Sequence, residues 1–206
     1  MKYTTEDLYE HLHWQNGDLV MGLDEAGRGP ICGPLVVAGV VFPCDYHNEE
    51  IYDSKKLSEK KREALFDVIK NEAVYYRVEV VSPQIVDELN IYQATKKAMT
   101  KIADSFDCRY ILSDAMPLDT NKDVVALVKG DQKSVSIAAA SILAKVTRDH
   151  IMYELDAKYP QYELARHKGY PTKKHLELIE KYGLQDFYRM TYGPCKRIKE
   201  KEIKLF

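Results

Sequence analysis

The chain has 206 residues, of which 45% are hydrophobic and 30% charged, so it can fold around a core without disulfide or metal staples. Its formal net charge of −2 does not indicate a nucleic-acid-binding protein, and any such function must rest on local clusters of charge. No apolar run approaches the ~18 residues of a membrane span and the N-terminus lacks the apolar core of a signal peptide, so we expect a cytoplasmic protein.

Apolar runs predict strands in the first part of the chain. Residues 18–24 end at a carboxylate, residues 34–42 form a β-branched run, and residues 74–81 alternate like a half-exposed strand. Each of these patterns predicts a strand. Between them, the spacing of apolar residues over 58–70 predicts a helix with Ser58 as its N-cap.

The second part alternates helices and strands. Ser82-Pro83 is typical of a helix start and predicts one long helix that ends at about residue 105. The next predicted elements are strands at 109–113 and 123–129, a helix at about 134–158, a loop at 159–171 and a helix at 172–182. The helix predicted from about residue 134 begins with small side chains, which would let it approach a neighbouring element closely. The tail from residue 184 carries no clear pattern.

This order of elements predicts an α/β protein with a mixed sheet flanked by helices. We expect a catalytic domain at 1–158 and a small helical C-terminal appendage at 159–206, which could also pack as one unit.

Cysteine and histidine spacing gives no support for a zinc site. The four cysteines are scattered without any C-x-x-C pair, which favours reduced thiols. His167 and His175 lack partners at zinc spacing. We expect His175 to be a structural or helix-surface residue.

Carboxylates stand at the ends of three predicted strands. Asp24, Asp114 and Asp131 each close an apolar run, and Glu25 follows Asp24 directly. Carboxylates gathered at one sheet edge repel one another unless a cation neutralises them, and such hard ligands favour Mg²⁺ or Mn²⁺ over zinc. The pattern predicts metal-assisted phosphoryl chemistry, although each aspartate could equally form a turn or cap a helix.

A glycine-rich loop follows the acidic pair. Gly27-Arg28-Gly29 would let the backbone pass close to a ligand, and arginine offers a planar fork for phosphate. The loop matches neither G-x-G-x-x-G nor the P-loop pattern. Taken alone, it is compatible with a plain turn as well as with contact to a sugar–phosphate backbone.

Several segments, in register, resemble one protein family. GLDEAGRGPICGPLVVAGVVF contains an Asp-Glu-x-Gly-Arg-Gly motif and closely resembles the signature of ribonuclease HII, the type 2 ribonuclease H family. Other segments that resemble the family are DSKKL (53–57), VDELNIYQATKKAM (86–99), KGDQKSVSIAAASILAKVTRD (129–149) and HKGYPTKKH (167–175). The resemblance is weaker at Asp114-Ala115, where the family often has Asp-Gly, and in the tail YRMTYGPCK.

The resemblance implies a ribonuclease H-like fold and a two-metal endonuclease. It makes Asp24, Glu25, Asp114 and Asp131 the catalytic residues and the ligands of two Mg²⁺ or Mn²⁺ ions. It implies in-line attack by water that leaves 3′-hydroxyl and 5′-phosphate ends, without a covalent enzyme intermediate. The implied substrates are the RNA strand of RNA–DNA hybrids and ribonucleotides embedded in duplex DNA, cut on their 5′ side. The implied roles are ribonucleotide removal from DNA and RNA primer removal.

Selection of RNA must use the 2′-hydroxyl group. By resemblance, the backbone of Gly27, Arg28 and Gly29 contacts this group. Tyr170 is expected to stack on a sugar at the DNA side of an RNA–DNA junction.

Other polar side chains are expected to hold phosphates. The candidates are Lys55, Lys56, Ser141, Lys145, Arg148 and Lys168. Ser141, Lys145 and Arg148 are spaced by four and three residues, so they share one helical face. We expect salt-sensitive binding to nucleic acid, no membrane association and a monomer.

Two other functions remain open at this point. A different metal nuclease on a similar fold, such as a resolvase or transposase-like enzyme, would share the carboxylates without needing Gly27–Gly29 or Tyr170. A non-catalytic nucleic-acid-binding module is the second alternative. The four acids argue against it, because carboxylates that repel phosphate give a binder no advantage without metal.

Overall fold

The computed structural model describes residues 8–203, whose five-stranded sheet is mixed as expected. The strands are β1 (Val20–Ala26), β2 (Leu35–Val41), β3 (Tyr75–Val81), β4 (Tyr110–Asp114) and β5 (Asp123–Leu127). They follow the order β3-β2-β1-β4-β5 across the sheet. β1 pairs antiparallel with β2 and parallel with β4, and β4 pairs parallel with β5.

The helices lie mostly where the sequence predicts them. They are α1 (His11–Trp14), α2 (Glu59–Glu72), α3 (Pro83–Leu89), α4 (Ile91–Ala103), α5 (Val135–Lys158), α6 (Leu164–His167), α7 (Lys173–Tyr182) and α8 (Gly193–Ile203). The Ser58 hydroxyl caps α2 as predicted, accepting a hydrogen bond from the Lys61 amide at 3.3 Å. None of the helices in residues 8–203 combines the length and apolar character that spanning a bilayer requires.

Two predictions about helices were wrong, and one segment without a prediction is helical. The single helix expected to reach about residue 105 is broken at Asn90, whose φ of 65° lies in a region that asparagine tolerates. The Asn90 side chain accepts from the Gln93 amide at 3.0 Å and so starts α4. The loop expected at 159–171 contains α6 and a 3-10 turn at Pro160–Tyr162, and the unassigned tail contains α8.

The described chain forms two compact units. The first contains residues 8–26, 36–79 and 95–146. The second contains residues 27–35, 80–94 and 147–203. The expected domain boundary after residue 158 stays a prediction.

The first unit is built around a close contact between β1 and the start of α5. A Cβ added at Gly22 would lie only 2.2 Å from the backbone carbon of Ser136. Ala138, Ala139 and Ala140 are completely buried in the next turn. The small side chains at the start of this helix therefore allow the predicted close approach to a neighbour.

The second unit has its own apolar core, formed by helical and loop residues. Its members are Ile31, Cys32, Met152, Tyr162, Leu164, Ile179, Phe187, Tyr188, Cys195 and Ile198. The C-terminal tail thus supplies several core residues of this unit. All four cysteines of the chain are free thiols, as expected.

Candidate active site

Two of the predicted acids lie side by side at one edge of the sheet. Leu23 on β1 pairs with Ser113 on β4, and the two strands run parallel. Asp24 and Asp114 follow these paired residues, so both carboxylates lie at the same position along the two neighbouring strands. Glu25 comes next on β1.

The Asp24 carboxylate is buried and fixed in orientation. It is 5% exposed and accepts hydrogen bonds from the Glu25 amide at 2.7 Å and from the Ser141 hydroxyl. The Ser141 hydroxyl also lies 2.9 Å from the hydroxyl of Ser54. Burial, with the negative charges of Glu25 and Asp114, raises the pKa of Asp24 well above its usual value. This carboxylate is therefore held where its charged form is disfavoured.

Asp131 joins the same group of acids by a different route from the one expected. It lies in a 3-10 turn, Gly130–Gln132, beyond the end of β5, and not at the end of the strand itself. Burial raises its pKa, and the charges of Asp53 and Asp114 add to this effect. Asp114 accepts a hydrogen bond from the Gly130 amide at 2.9 Å, which ties β4 to the turn.

Asp53 is a fifth acid, which reasoning from strand ends missed. It is 6% exposed and shares a hydrogen bond with Asp131. It also accepts from the Lys55 amide at 3.1 Å and from Gln132 Nε2 at 3.3 Å. Asp53 lies at the start of a 3-10 turn and not at the end of a strand, so the strand-end pattern did not predict it. The sequence indicated it only through the DSKKL segment.

This set of carboxylates fits hard divalent cations. Their donor atoms are all oxygens. Burial, and after it repulsion between the acids, raises the pKa values of Asp24 and Asp131, and a bound cation would offset both effects. Within residues 8–203, no three His, Cys, Asp or Glu side chains are already closed around one ion position. Magnesium commonly binds through one or two carboxylates and completes its shell with water and substrate phosphates, so this open arrangement suits it.

Ala115 occupies the position where the family often has glycine. Its φ is 53°, and its amide donates to the Leu127 carbonyl at 3.0 Å. Left-handed backbone costs a residue with a Cβ about 1 kcal/mol. The turn after Asp114 therefore carries this cost at Ala115, which a glycine would avoid.

The second unit brings Tyr170 against the glycine–arginine loop. A Cβ added at Gly29 would lie 3.2 Å from the Tyr170 ring, and that ring is 50% exposed. The Ile31 amide donates to the Gly169 carbonyl at 2.9 Å, which fixes the two segments together. Arg28 is exposed at the tip of the loop.

Arg148 does not occupy the phosphate-facing position that we expected. It is 1% exposed, and its guanidinium donates to the carbonyls of Cys32, Pro34 and Lys168 at 3.1, 3.0 and 3.0 Å. A buried guanidinium satisfied by backbone carbonyls holds loops in place. Ser141 is likewise buried, and its hydroxyl serves Asp24.

The other basic candidates differ in accessibility. Lys55 and Lys56 are exposed, and Lys145 is half-buried. The Lys168 ammonium donates to the Ala165 carbonyl at 2.7 Å and lies 3.5 Å from the centre of the Tyr153 ring.

Two stacked imidazoles support the segment that carries Tyr170. The rings of His167 and His175 lie 3.9 Å apart, at an angle of 21°. The Gly169 amide donates to His167 Nδ1 at 3.2 Å, so this nitrogen carries no proton. His175 Nδ1 donates to the Tyr170 carbonyl at 2.8 Å. The Gly169 amide and the Tyr170 carbonyl are thus each held by an imidazole.

We expect the free energy of unfolding to fall as the pH drops from 6.5 towards 4. Burial lowers the pKa of His175 from 6.5 to about 4, so over this range the unfolded chain binds a proton that the folded protein excludes. Stability present above pH 6.5 is lost on acidification, by about 1.4 kcal/mol per pH unit. Urea unfolding at several pH values should show a shallower decline for His175→Gln. His150→Gln, at an exposed imidazole, is the control, and equal slopes for all three proteins would contradict the expectation.

Comparison with known proteins identifies the family. The family model for ribonuclease HII matches residues 21–195. The chain is 50% identical to ribonuclease HII of Bacillus mycoides over 184 residues, which cover 88% of this chain and 72% of that protein. Ribonuclease H2 from Pyrococcus horikoshii OT3 has the same fold, with a TM-score of 0.80 and 29% identity over 90% of this chain and 99% of that one. Bst-RNase HIII in complex with Mn²⁺ shares the fold at a TM-score of 0.65 and 17% identity, over 99% of this chain and 77% of that one. The chain therefore belongs to the ribonuclease HII family and is a ribonuclease H, an endonuclease.

Proposed function

We propose that this protein hydrolyses the RNA strand of RNA–DNA hybrids and cuts on the 5′ side of ribonucleotides embedded in duplex DNA. The observation that carries the proposal is the contact between Gly29 and the Tyr170 ring, where an added Cβ would lie 3.2 Å from Cε1. The glycine backbone, which can approach a ribose closely, therefore lies against an exposed aromatic ring. Along the chain, only Ala26 separates this loop from the acidic pair.

Recognition of a single ribonucleotide requires direct contact with its 2′-hydroxyl, because nothing else distinguishes its sugar from the surrounding DNA sugars. In our proposal, the backbone of Gly27, Arg28 and Gly29 forms hydrogen bonds with this hydroxyl. The Tyr170 ring stacks on the sugar at the DNA side of the junction. Long hybrids present the same hydroxyl and are cut by the same site.

Asp24, Glu25, Asp114 and Asp131 would hold two divalent ions, Mg²⁺ or Mn²⁺. Support comes from the all-oxygen donor set, from the raised pKa of Asp24 and Asp131, and from the Mn²⁺ complex of Bst-RNase HIII. Bound there, such ions would supply Lewis-acid chemistry, favouring attack by water and offsetting the charge on the leaving oxygen. The chain's own contribution is to orient the carboxylates, as the Glu25 amide and the Ser141 hydroxyl do for Asp24.

The proposed reaction is a direct hydrolysis. A water oxygen forms a bond to phosphorus as the P–O3′ bond breaks, and the leaving 3′ oxygen takes up a proton. The products carry a 3′-hydroxyl and a 5′-phosphate, and no side chain becomes covalently attached. The contacts proposed for neighbouring phosphates are Lys55, Lys56, Lys145 and Lys168. Binding should therefore weaken as salt increases.

These activities suit removal of ribonucleotides and RNA primers from DNA. We propose that the protein acts as a monomer in the cytoplasm, where its four free thiols would stay reduced.

Cleavage of a DNA duplex that contains one ribonucleotide tests the proposal directly. We expect one cut on the 5′ side of the ribonucleotide with Mg²⁺ or Mn²⁺, none in EDTA, and none in an all-DNA duplex of the same sequence. Product ends are checked by their extension with a polymerase and by their ligation. Equal cutting of the all-DNA duplex would contradict the proposed role of the loop and favour a nuclease that ignores the 2′-hydroxyl.

A further inference from the structure

One side chain of the C-terminal tail, Arg189, donates hydrogen bonds to three carbonyls of the segment that begins with the glycine–arginine loop. Arg189 Nη1 donates to the carbonyls of Arg28 at 3.2 Å and Pro30 at 2.9 Å. Arg189 Nε and Nη2 both donate to the Gly33 carbonyl, at 3.2 and 3.0 Å. Arg189 is 0% exposed. Its bonds to Pro30 and Gly33 are buried, and its bond to Arg28 is partly buried.

The backbone of the tail reinforces this attachment. The Arg189 amide donates to the Ile31 carbonyl at 2.9 Å, and the Gly33 amide donates to the Phe187 carbonyl at 2.8 Å. These bonds pair the tail with the segment in the manner of a short β-bridge. The segment is therefore held by side-chain and backbone contacts from the same stretch of tail.

Tyr192 adds a contact to the loop itself. Its hydroxyl donates to the Arg28 carbonyl at 2.8 Å and accepts from Arg189 Nη1 at 3.0 Å. The central peptide of Gly27–Gly29 thus has its carbonyl fixed by two donors from the tail.

A second buried guanidinium takes carbonyls between and beyond those that Arg189 binds. Arg148 donates to Cys32 and Pro34, and burial together with the positive charge of Arg189 lowers its pKa to about 10. Two buried cations close enough to influence each other are costly to the fold. Their presence is understandable if the exact shape of this segment matters for function.

We propose that Arg189, assisted by Tyr192, is a positioning residue that gives the Gly27–Gly29 backbone the shape needed to recognise a ribose. This inference rests on the proposed function of that loop and assigns a role to the C-terminal tail. Arg189 does not touch the nucleic acid. Its carbonyl contacts hold the loop peptides in the orientation that receives the 2′-hydroxyl.

The test compares binding of two duplexes that differ by one hydroxyl group. Dissociation constants are measured with Ca²⁺ in place of Mg²⁺, to slow turnover, for a duplex with one ribonucleotide and for its all-DNA counterpart. The dissociation constant for the all-DNA duplex divided by that for the ribonucleotide duplex reports recognition of the hydroxyl. A loss of charge or of folded protein changes both constants together and leaves this ratio unchanged. We expect Arg189→Gln to reduce the ratio at least tenfold and Arg189→Lys to reduce it nearly as much, because lysine lacks the guanidinium fork.

Two further variants make the result decisive. Arg197→Gln removes an exposed arginine from the same tail and should leave the ratio unchanged. Tyr192→Phe removes only one hydroxyl and should lower the ratio two- to fivefold in a protein with an unchanged unfolding temperature; it carries the test if Arg189 variants fail to fold. A folded Arg189→Gln or Tyr192→Phe protein with the wild-type ratio would overturn the positioning role. No preference in the wild-type protein would instead overturn the proposed function of the loop.

Discussion

Replacing Asp24 with asparagine is expected to abolish cleavage and, at the same time, to stabilise the metal-free protein. Loss of one ligand oxygen and its charge should reduce kcat at least ~10³-fold, equivalent to ~4 kcal/mol of activation free energy. Burial and the charges of Glu25 and Asp114 disfavour the Asp24 carboxylate in the folded protein, and asparagine avoids that cost while keeping an acceptor oxygen. The stability gain should be about 1 kcal/mol, or ~2–4 °C in Tm.

Thermal unfolding in EDTA and again with Mn²⁺ measures both effects. Wild-type protein should gain stability when Mn²⁺ is added, whereas Asp24→Asn should gain much less. Asp67→Asn is the matched control, because it makes the same chemical change at an exposed position on α2. Full activity of Asp24→Asn, or a lower Tm in EDTA, would contradict the assignment of this carboxylate to a metal site.

The opposed effects on stability and activity follow from how the acids are placed. Asp24 and Asp131 are both held in folded positions that raise their pKa values, so the fold retains them at a cost. Natural proteins accept such local instability where function requires it. The same reasoning predicts that any ion bound there will stabilise the fold, since it relieves the repulsion.

The sequence predicted the strands well because their apolar or alternating runs differ from the polar segments around them. It correctly placed Asp114 at the end of a strand, whereas the strand predicted to end at Asp24 continues to Ala26. The proximity of the two acids depended on the sheet order, in which β1 lies beside β4 although two strands and three helices separate them along the chain. The family resemblance supplied the fold that local patterns alone could not.

Long-range contacts set the limit of prediction for the polar side chains. The spacing of Lys145 and Arg148 correctly placed them on one helix, but helical spacing does not tell whether a guanidinium meets solvent or buried carbonyls. Arg189 gave no signal, because a single arginine in a tail without periodicity has no local pattern. Asp53 was missed for a similar reason, since its partners are distant in the chain and its turn is short.

Replacing Gly27 with alanine is expected to reduce both stability and cleavage strongly. Gly27 has φ of 100°, and a Cβ there would lie 2.3 Å from Arg148 Nε and 2.7 Å from the Pro34 carbonyl. The backbone strain and the steric clash together should cost ~3 kcal/mol. Because both atoms belong to the buried support of the loop, relief of the clash must displace either the loop or the guanidinium. We expect kcat/KM at a single ribonucleotide to fall at least ~10²-fold, or ~2.7 kcal/mol.

Gly17→Ala separates the two causes, since Gly17 has a similar φ of 78° but nothing within 4 Å of an added Cβ. It should lose only the ~1 kcal/mol of left-handed backbone strain and keep full activity. Urea unfolding and cleavage assays on the two variants therefore isolate the effect of the guanidinium behind the loop. If Gly27→Ala lost no more stability than Gly17→Ala, the buried contact with Arg148 would not constrain the loop. If it lost stability but kept its preference for the ribonucleotide, the shape of the backbone at Gly27 would not be what recognises the ribose.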